Sequence, residues 1–135
     1  MAELVLTGLG VSVYTRVARM ALAEKGLSYR FEAVNPFADA PDPVLARLTP
    51  FNRVPVLTHD GFSVYETAAI LRYLEAAFPE PSLAPEGARA AARVAQVIGI
   101  VDSYAYRPLV RQVFSQRVFR PLEGLAPDED ESAKG

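Results

Sequence analysis

Residues 52–74 read Asn52-Arg53-Val54-Pro55-Val56-Leu57-Thr58-His59-Asp60-Gly61-Phe62-Ser63-Val64-Tyr65-Glu66-Thr67-Ala68-Ala69-Ile70-Leu71-Arg72-Tyr73-Leu74. Val54 to Leu57 is an apolar run with a proline at its second position, His59-Asp60-Gly61 is a turn, and Phe62 to Tyr65 is a second short run. The spacing predicts a hairpin of two antiparallel strands. From Glu66 the period changes. Ile70, Leu71, Tyr73, Leu74 and Ala77 form a broad apolar stripe, which predicts a helix from Glu66 to Phe78 that ends before Pro79. A strand headed by proline lacks one ladder donor, so the backbone of Val54 is open to another use. A peptide ligand pairing with its N–H and C=O, as in strand addition, fits that opening. On pattern alone a plain trans proline at a strand start fits equally well.

Upstream, Glu3 to Leu6 reads as a buried strand that closes in Thr7-Gly8-Leu9-Gly10. From Ser12 the residues Tyr14, Val17, Ala18, Ala21 and Leu22 recur at helical spacing, and Gly26 supplies the stop. Ser28 to Val34 alternates as a second strand, and Asn35 to Pro50 is a proline-rich loop with one short helix, Pro43 to Leu48. The predicted order is β-α-β-α-β-β-α, a parallel crossover half joined to an antiparallel hairpin half.

Downstream, residues 79–88 are rich in proline and read as a linker between a first domain at 1–78 and a helical segment at 89–135. In that segment Ala92, Ala95, Val97, Ile98, Val101 and Tyr104 form an apolar face. Pro108 is expected to kink the helix or end it near Tyr106, and Glu123 to Gly135 is expected to be a disordered acidic tail. Such a short helical piece cannot bury its own apolar face and needs a partner surface.

The 135 residues are 50% hydrophobic and 22% charged, with a net charge of -2, the composition of a globular protein without a basic surface for nucleic acid or an anionic membrane. There is no cysteine and one histidine, so disulfides, thiolate zinc and a protein thiol nucleophile are excluded and a metal site is not expected. The opening Met-Ala-Glu-Leu has no basic or apolar leader pattern, and no run approaches a membrane span, so the expected location is the cytoplasm.

Three pieces occur in order: Ser12 leading into a helix that closes in Leu22-Ala23-Glu24-Lys25-Gly26, the run Asn52 to Leu57, and Tyr65 to Leu74. Together they resemble the glutathione transferase family. The resemblance covers residues 3 to about 120. It implies an α/β fold, a thioredoxin-like β-α-β-α-β-β-α domain with a cis Val54-Pro55 bond, followed by an incomplete all-helical domain. It also implies glutathione as co-substrate and a small hydrophobic electrophile, with no metal, in a homodimeric detoxification enzyme.

By this resemblance Ser12 is the catalytic serine that holds the glutathione thiolate, with Thr15 as substitute. The position of the tyrosine in tyrosine-type members is Gly8. Val54 pairs with the cysteinyl backbone, Glu66 and Thr67 meet the γ-glutamyl ammonium and carboxylate, and Arg53 pairs with the glycyl carboxylate. Taken by themselves, Ser12, Glu66 and Thr67 also read as helix caps, and Arg53 as a solvated cation. His59 reads as a solvated turn residue. The resemblance further places Tyr104, Tyr106, Arg107 and Arg111 toward the electrophile, and Asp102 toward a partner's glutathione. The rival reading is a non-catalytic glutathione-binding or protein-interaction module; an isomerase or dehalogenase would use the same thiolate.

Overall fold

The computed structural model describes residues 3–135. The chain divides into two compact units, the first running to Ala84 and the second from Pro85 to Gly135.

The first unit is built on four strands, β1 (Leu4–Gly8), β2 (Arg30–Ala33), β3 (Val56–His59) and β4 (Phe62–Tyr65), in the spatial order β2-β1-β3-β4. β1 pairs in parallel with β2 and antiparallel with β3, and β3 pairs antiparallel with β4. Three helices accompany them: α1 (Val13–Glu24), α2 (Pro43–Leu48) and α3 (Thr67–Ala77). The element order is the one the periodicity predicts. β3 begins at Val56, one residue after Pro55, so the proline stands outside the ladder, where its missing N–H costs nothing.

Every residue of β1 is buried, so both faces of the sheet are covered. On one face Leu4, Leu6 and Leu57 pack with Ala18, Ala21 and Leu22 of α1 and Ile70 and Leu74 of α3. On the other, Leu45 of α2 packs with Val34 and Val56. The period of two along β1 therefore sends Leu4 and Leu6 to the thicker core.

The connections follow from local chemistry. Asp60 and Gly61 both have positive φ, 48° and 86°, the signature of a two-residue hairpin turn whose twist matches its strands. Gly26, at φ 64°, ends α1 in the left-handed conformation. There its N–H donates to Ala23 and the N–H of Leu27 donates back to Leu22. Asp42 caps α2 by accepting from the N–H groups of Val44 and Leu45, at 2.8 and 3.3 Å.

The second unit opens with α4 (Ala88–Ile100), which continues directly into a π-helical stretch, Val101–Phe119, then α5 (Arg120–Leu122) and α6 (Glu129–Ser132). Two sequence expectations are corrected here. Of the two outcomes expected at Pro108, a kink or an end near Tyr106, the second is overturned, because the helix runs through the proline. The wider winding moves the carbonyl four residues back away from the proline ring, leaving only the lost N–H bond as its cost. The acidic tail is not left unpartnered either. The two terminal nitrogens of Arg117 hold the Glu129 carboxylate, its Nε donates to Ser132 Oγ at 2.9 Å, and Gln112 donates to Glu131 at 3.0 Å. Glu129 and Glu131 find partners 12 and 19 positions upstream, a distance over which local composition carries no information. No helix among the described residues is long and apolar enough to cross a membrane.

Candidate functional site

The strand register builds the site. Thr7 of β1 lies opposite Val56 of β3, and Val56 lies opposite Tyr65 of β4. The row Thr7, Val56, Tyr65 thus brings three chain segments to one end of the sheet. These are the turn that leads from β1 into α1, the Asn52–Pro55 approach to β3, and the passage from β4 into α3.

At the first of these, Ser12 is the N-cap of α1. Its backbone is extended, at φ -67° and ψ 127°, and its hydroxyl oxygen accepts from the Thr15 N–H at 3.4 Å. That bond uses an oxygen lone pair and leaves the hydroxyl hydrogen free to donate, at the end of the helix where the macrodipole is positive. Ser12 is half-buried and Thr15 is fully buried. The Thr15 Oγ1 is closed off from solvent without a hydrogen-bond partner. Thr15 lies against Gly8, where an added Cβ would fall 2.6 Å from Thr15 Cγ2 and 2.8 Å from Thr15 Oγ1. Ser12 therefore carries the more accessible of the two hydroxyls, and Thr15 is packed against Gly8.

At the second segment the Val54–Pro55 peptide bond is cis. Among the described residues no hydrogen bond engages the N–H or carbonyl of Val54. Its backbone keeps one donor and one acceptor available for an incoming chain. Arg53 beside it is exposed and makes no ion pair with the described residues.

At the third, Glu66 is the N-cap of α3, with φ 69° and ψ 120°. It accepts the first helical bond through its carbonyl, from Ile70 at 2.9 Å, yet no side chain caps this helix. The leading N–H groups, beginning at Thr67, stay open to an outside acceptor. Thr67 is half-buried and the Glu66 carboxylate is exposed. The left-handed φ at a glutamate is a strained choice that local propensity does not favour.

Ser12, Val54, Glu66 and Thr67 thus lie on segments that the register brings to the same end of the sheet, with Arg53 adjoining Val54. His59 differs from its sequence reading. It is the last residue of β3, its side chain is only 17% exposed, and its Nδ1 bonds the Tyr73 hydroxyl at 2.7 Å. With Phe78 also against its ring, it belongs to an aromatic cluster and lies at the opposite end of β3 from the site. Among the described residues no group of three or more His, Asp or Glu is placed to hold a metal ion.

Two residues escaped the sequence reading. Lys25 is buried, with Nζ bonded to the carbonyls of Phe78 and Pro81 at 2.8 and 3.0 Å and to Glu75 at 2.7 Å. Asn52 holds φ 49° and donates to the Pro36 carbonyl at 2.8 Å. An asparagine two positions before a Val-Pro pair was the available signal for the second, because asparagine tolerates left-handed backbone.

Residues 6–82 match the glutathione S-transferase N-terminal domain family. A glutathione S-transferase of Triticum aestivum is 31% identical over 102 residues, which are 76% of this chain and 46% of that protein. The chain therefore spans under half the length of that relative. Among solved structures, a glutathione S-transferase from Rhodospirillum rubrum F11 superposes with a TM-score of 0.87 at 28% identity, covering 98% of this chain and 60% of the other. The theta class glutathione S-transferase of Xanthomonas axonopodis pv. citri, solved with glutathione bound, gives 0.81 at 25% identity over 99% of this chain and 63% of that one. With the thioredoxin-like sheet, the open Val54 backbone and the uncapped α3 all within the matched residues, the chain belongs to the glutathione S-transferase family.

Proposed function

We propose that the protein binds reduced glutathione and transfers it to a small hydrophobic electrophile. The observation that carries the reading is the row Thr7, Val56, Tyr65, since the segments that bear a hydroxyl, an unpaired backbone and an open helix N-terminus all leave the sheet at that end. Each matches one part of the tripeptide. The cysteinyl backbone pairs with Val54, the γ-glutamyl carboxylate takes the α3 N-terminus and the Thr67 hydroxyl, and its ammonium meets Glu66. The glycyl carboxylate takes Arg53.

Ser12 then donates to the glutathione sulfur. A free thiol titrates near 8.5, and each unit of lowering is about 1.4 kcal/mol in favour of the thiolate. The hydroxyl and the α1 dipole act together in that direction. The thiolate attacks the electrophilic carbon, forming a carbon–sulfur bond as the leaving group departs with its electron pair. The protein supplies ionisation and proximity, and glutathione supplies the nucleophile. The setting in this reading is a cytoplasmic homodimer acting in detoxification.

The test combines calorimetric titration with glutathione and turnover of a generic aryl halide. The wild type is expected to do both, and Ser12→Ala to keep binding while losing most turnover, with Thr15→Ala close to wild type. Glutathione binding without turnover would favour the non-catalytic module, and turnover unchanged in Ser12→Ala would remove the serine from the mechanism.

A further inference from the structure

Asn52 occupies a backbone conformation that L-residues avoid, with φ 49°. Such a conformation costs roughly 1 to 2 kcal/mol for most side chains, and only glycine, asparagine and aspartate visit it routinely. Its carboxamide nitrogen donates to the Pro36 carbonyl at 2.8 Å, across 16 positions of sequence. The acceptor is itself held. The ring of Pro36 fixes one dihedral, and Asn35 Oδ1 accepts the Phe37 N–H at 3.0 Å in a local turn. On the other side of Asn52, buried Thr49 accepts the Phe51 N–H at 3.2 Å. The Phe51 ring meets Tyr65 edge-on, with centroids 5.9 Å apart. The segment is thus tied to the β2–α2 loop, to the end of α2 and to the residue that precedes Glu66. The next two residues, Arg53 and Val54, make no hydrogen bond to the rest of the described chain.

We infer that Asn52 is a positioning residue, which holds the Phe51–Val54 segment so that the Val54 N–H and carbonyl meet a peptide ligand already in place. The inference rests on the proposed glutathione reading and names a residue that acts through its neighbours Arg53 and Val54. Its physical content is preorganisation. A strand held open before binding spares the ligand the ordering of that backbone, and the gain is read directly in affinity. The left-handed φ turns the chain between Phe51 and Arg53, and the carboxamide bond stops it from turning back. The two contributions separate by substitution, because Asn52→Gly keeps the backbone freedom and deletes the bond, whereas Asn52→Ala removes both.

The experiment uses the full chain, with glutathione affinity by calorimetry, melting temperature, and amide order parameters from nitrogen relaxation in the free protein. Glutathione binding is expected to weaken about threefold in Asn52→Gly and about tenfold in Asn52→Ala. The Arg53 and Val54 order parameters should fall from about 0.85 toward 0.6 in both variants. A purely structural role would lower the melting temperature and leave the affinity of the folded protein unchanged. Affinity within twofold of wild type in both variants would therefore overturn the inference, as would unchanged order parameters. If the wild type binds no glutathione, the functional reading fails, and the order parameters alone still decide whether Asn52 holds the segment. If Asn52→Ala does not fold, Asn52→Gly carries the comparison.

Discussion

At the scale of single residues, Gly8 and Thr15 form a tight contact between β1 and α1. Gly8 has no room for a side chain because Thr15 stands where its Cβ would go, at 2.6 Å. Thr15 is in turn fully buried, with its hydroxyl unpaired. Gly8→Ala should therefore cost about 1 to 3 kcal/mol by overpacking. Thr15→Ala gives up one buried methyl and removes an unsatisfied polar atom, so its own cost is small. Joined in one chain, the two should be more stable than the sum of the single effects predicts. Denaturant titration of the four proteins measures that coupling, and strict additivity would show that the contact is not what excludes a side chain at residue 8. The same contact explains why Thr15 was a reasonable substitute for Ser12 on sequence alone. Both lie on one turn of α1, and only packing distinguishes the hydroxyl at the cap from the one beneath it. Glu66 has a prediction of the same kind. A charged hydrogen bond to the ligand's ammonium is worth roughly 1.5 to 3 kcal/mol, so Glu66→Ala should weaken glutathione binding by that amount in calorimetry. Unchanged affinity would remove Glu66 from the site.

Between elements, the strongest polar feature is the one least legible in the sequence. Lys25 ends α1 with a buried ammonium that reaches the Phe78 and Pro81 carbonyls and the Glu75 carboxylate, fastening α1, α3 and the segment after α3. Nothing in the run Glu24-Lys25-Gly26 marks Lys25 as buried, because its partners lie 50 and more positions away. Glu75 is held at a pKa of about 2, chiefly by Lys25, then by the Ser82 hydroxyl and the Leu83 N–H. A carboxylate whose folded pKa lies below its unfolded value of 4.5 contributes stability that is complete above about pH 4.5 and lost as pH falls toward 2. Over that window the wild type should lose stability more steeply than Glu75→Gln, which has no proton to take up; parallel profiles would refute the linkage. Lys25→Met should lower the melting temperature at pH 7 by about 5 °C or more, since it takes the donor from two carbonyls and the ion-pair partner from Glu75. Elements with local causes were, by contrast, readable. Asp60-Gly61 specified the hairpin, Gly26 the end of α1, and the stripe Ile70, Leu71, Leu74 the helix α3. Pro108 misled because its cost was judged against an α-helix, and the acidic tail misled because Arg117 and Gln112 were too far upstream to enter a compositional argument.

For the whole molecule, the open question is what covers α4. None of its 13 residues is buried. A helix of that length is marginal in water without tertiary packing. Val94, Val97, Ile100 and Val101 are 45%, 53%, 48% and 43% exposed, and the three valines follow one another at three- and four-residue spacing, so they share a face. A second copy of the chain offers the same apolar stripe, and two such stripes can pack about a twofold axis with each residue meeting its counterpart or a near neighbour. The charge of -2 is too small to oppose that approach. Sedimentation at micromolar concentration should therefore show a dimer. Val97→Glu would place two carboxylates in the apolar interface and should give a monomer, while the first unit, whose core is built from Leu6, Leu22, Leu57, Ile70 and Leu74, keeps its fold and its circular dichroism. A wild-type monomer, or a dimer indifferent to Val97→Glu, would show that this stripe is not the dimer surface.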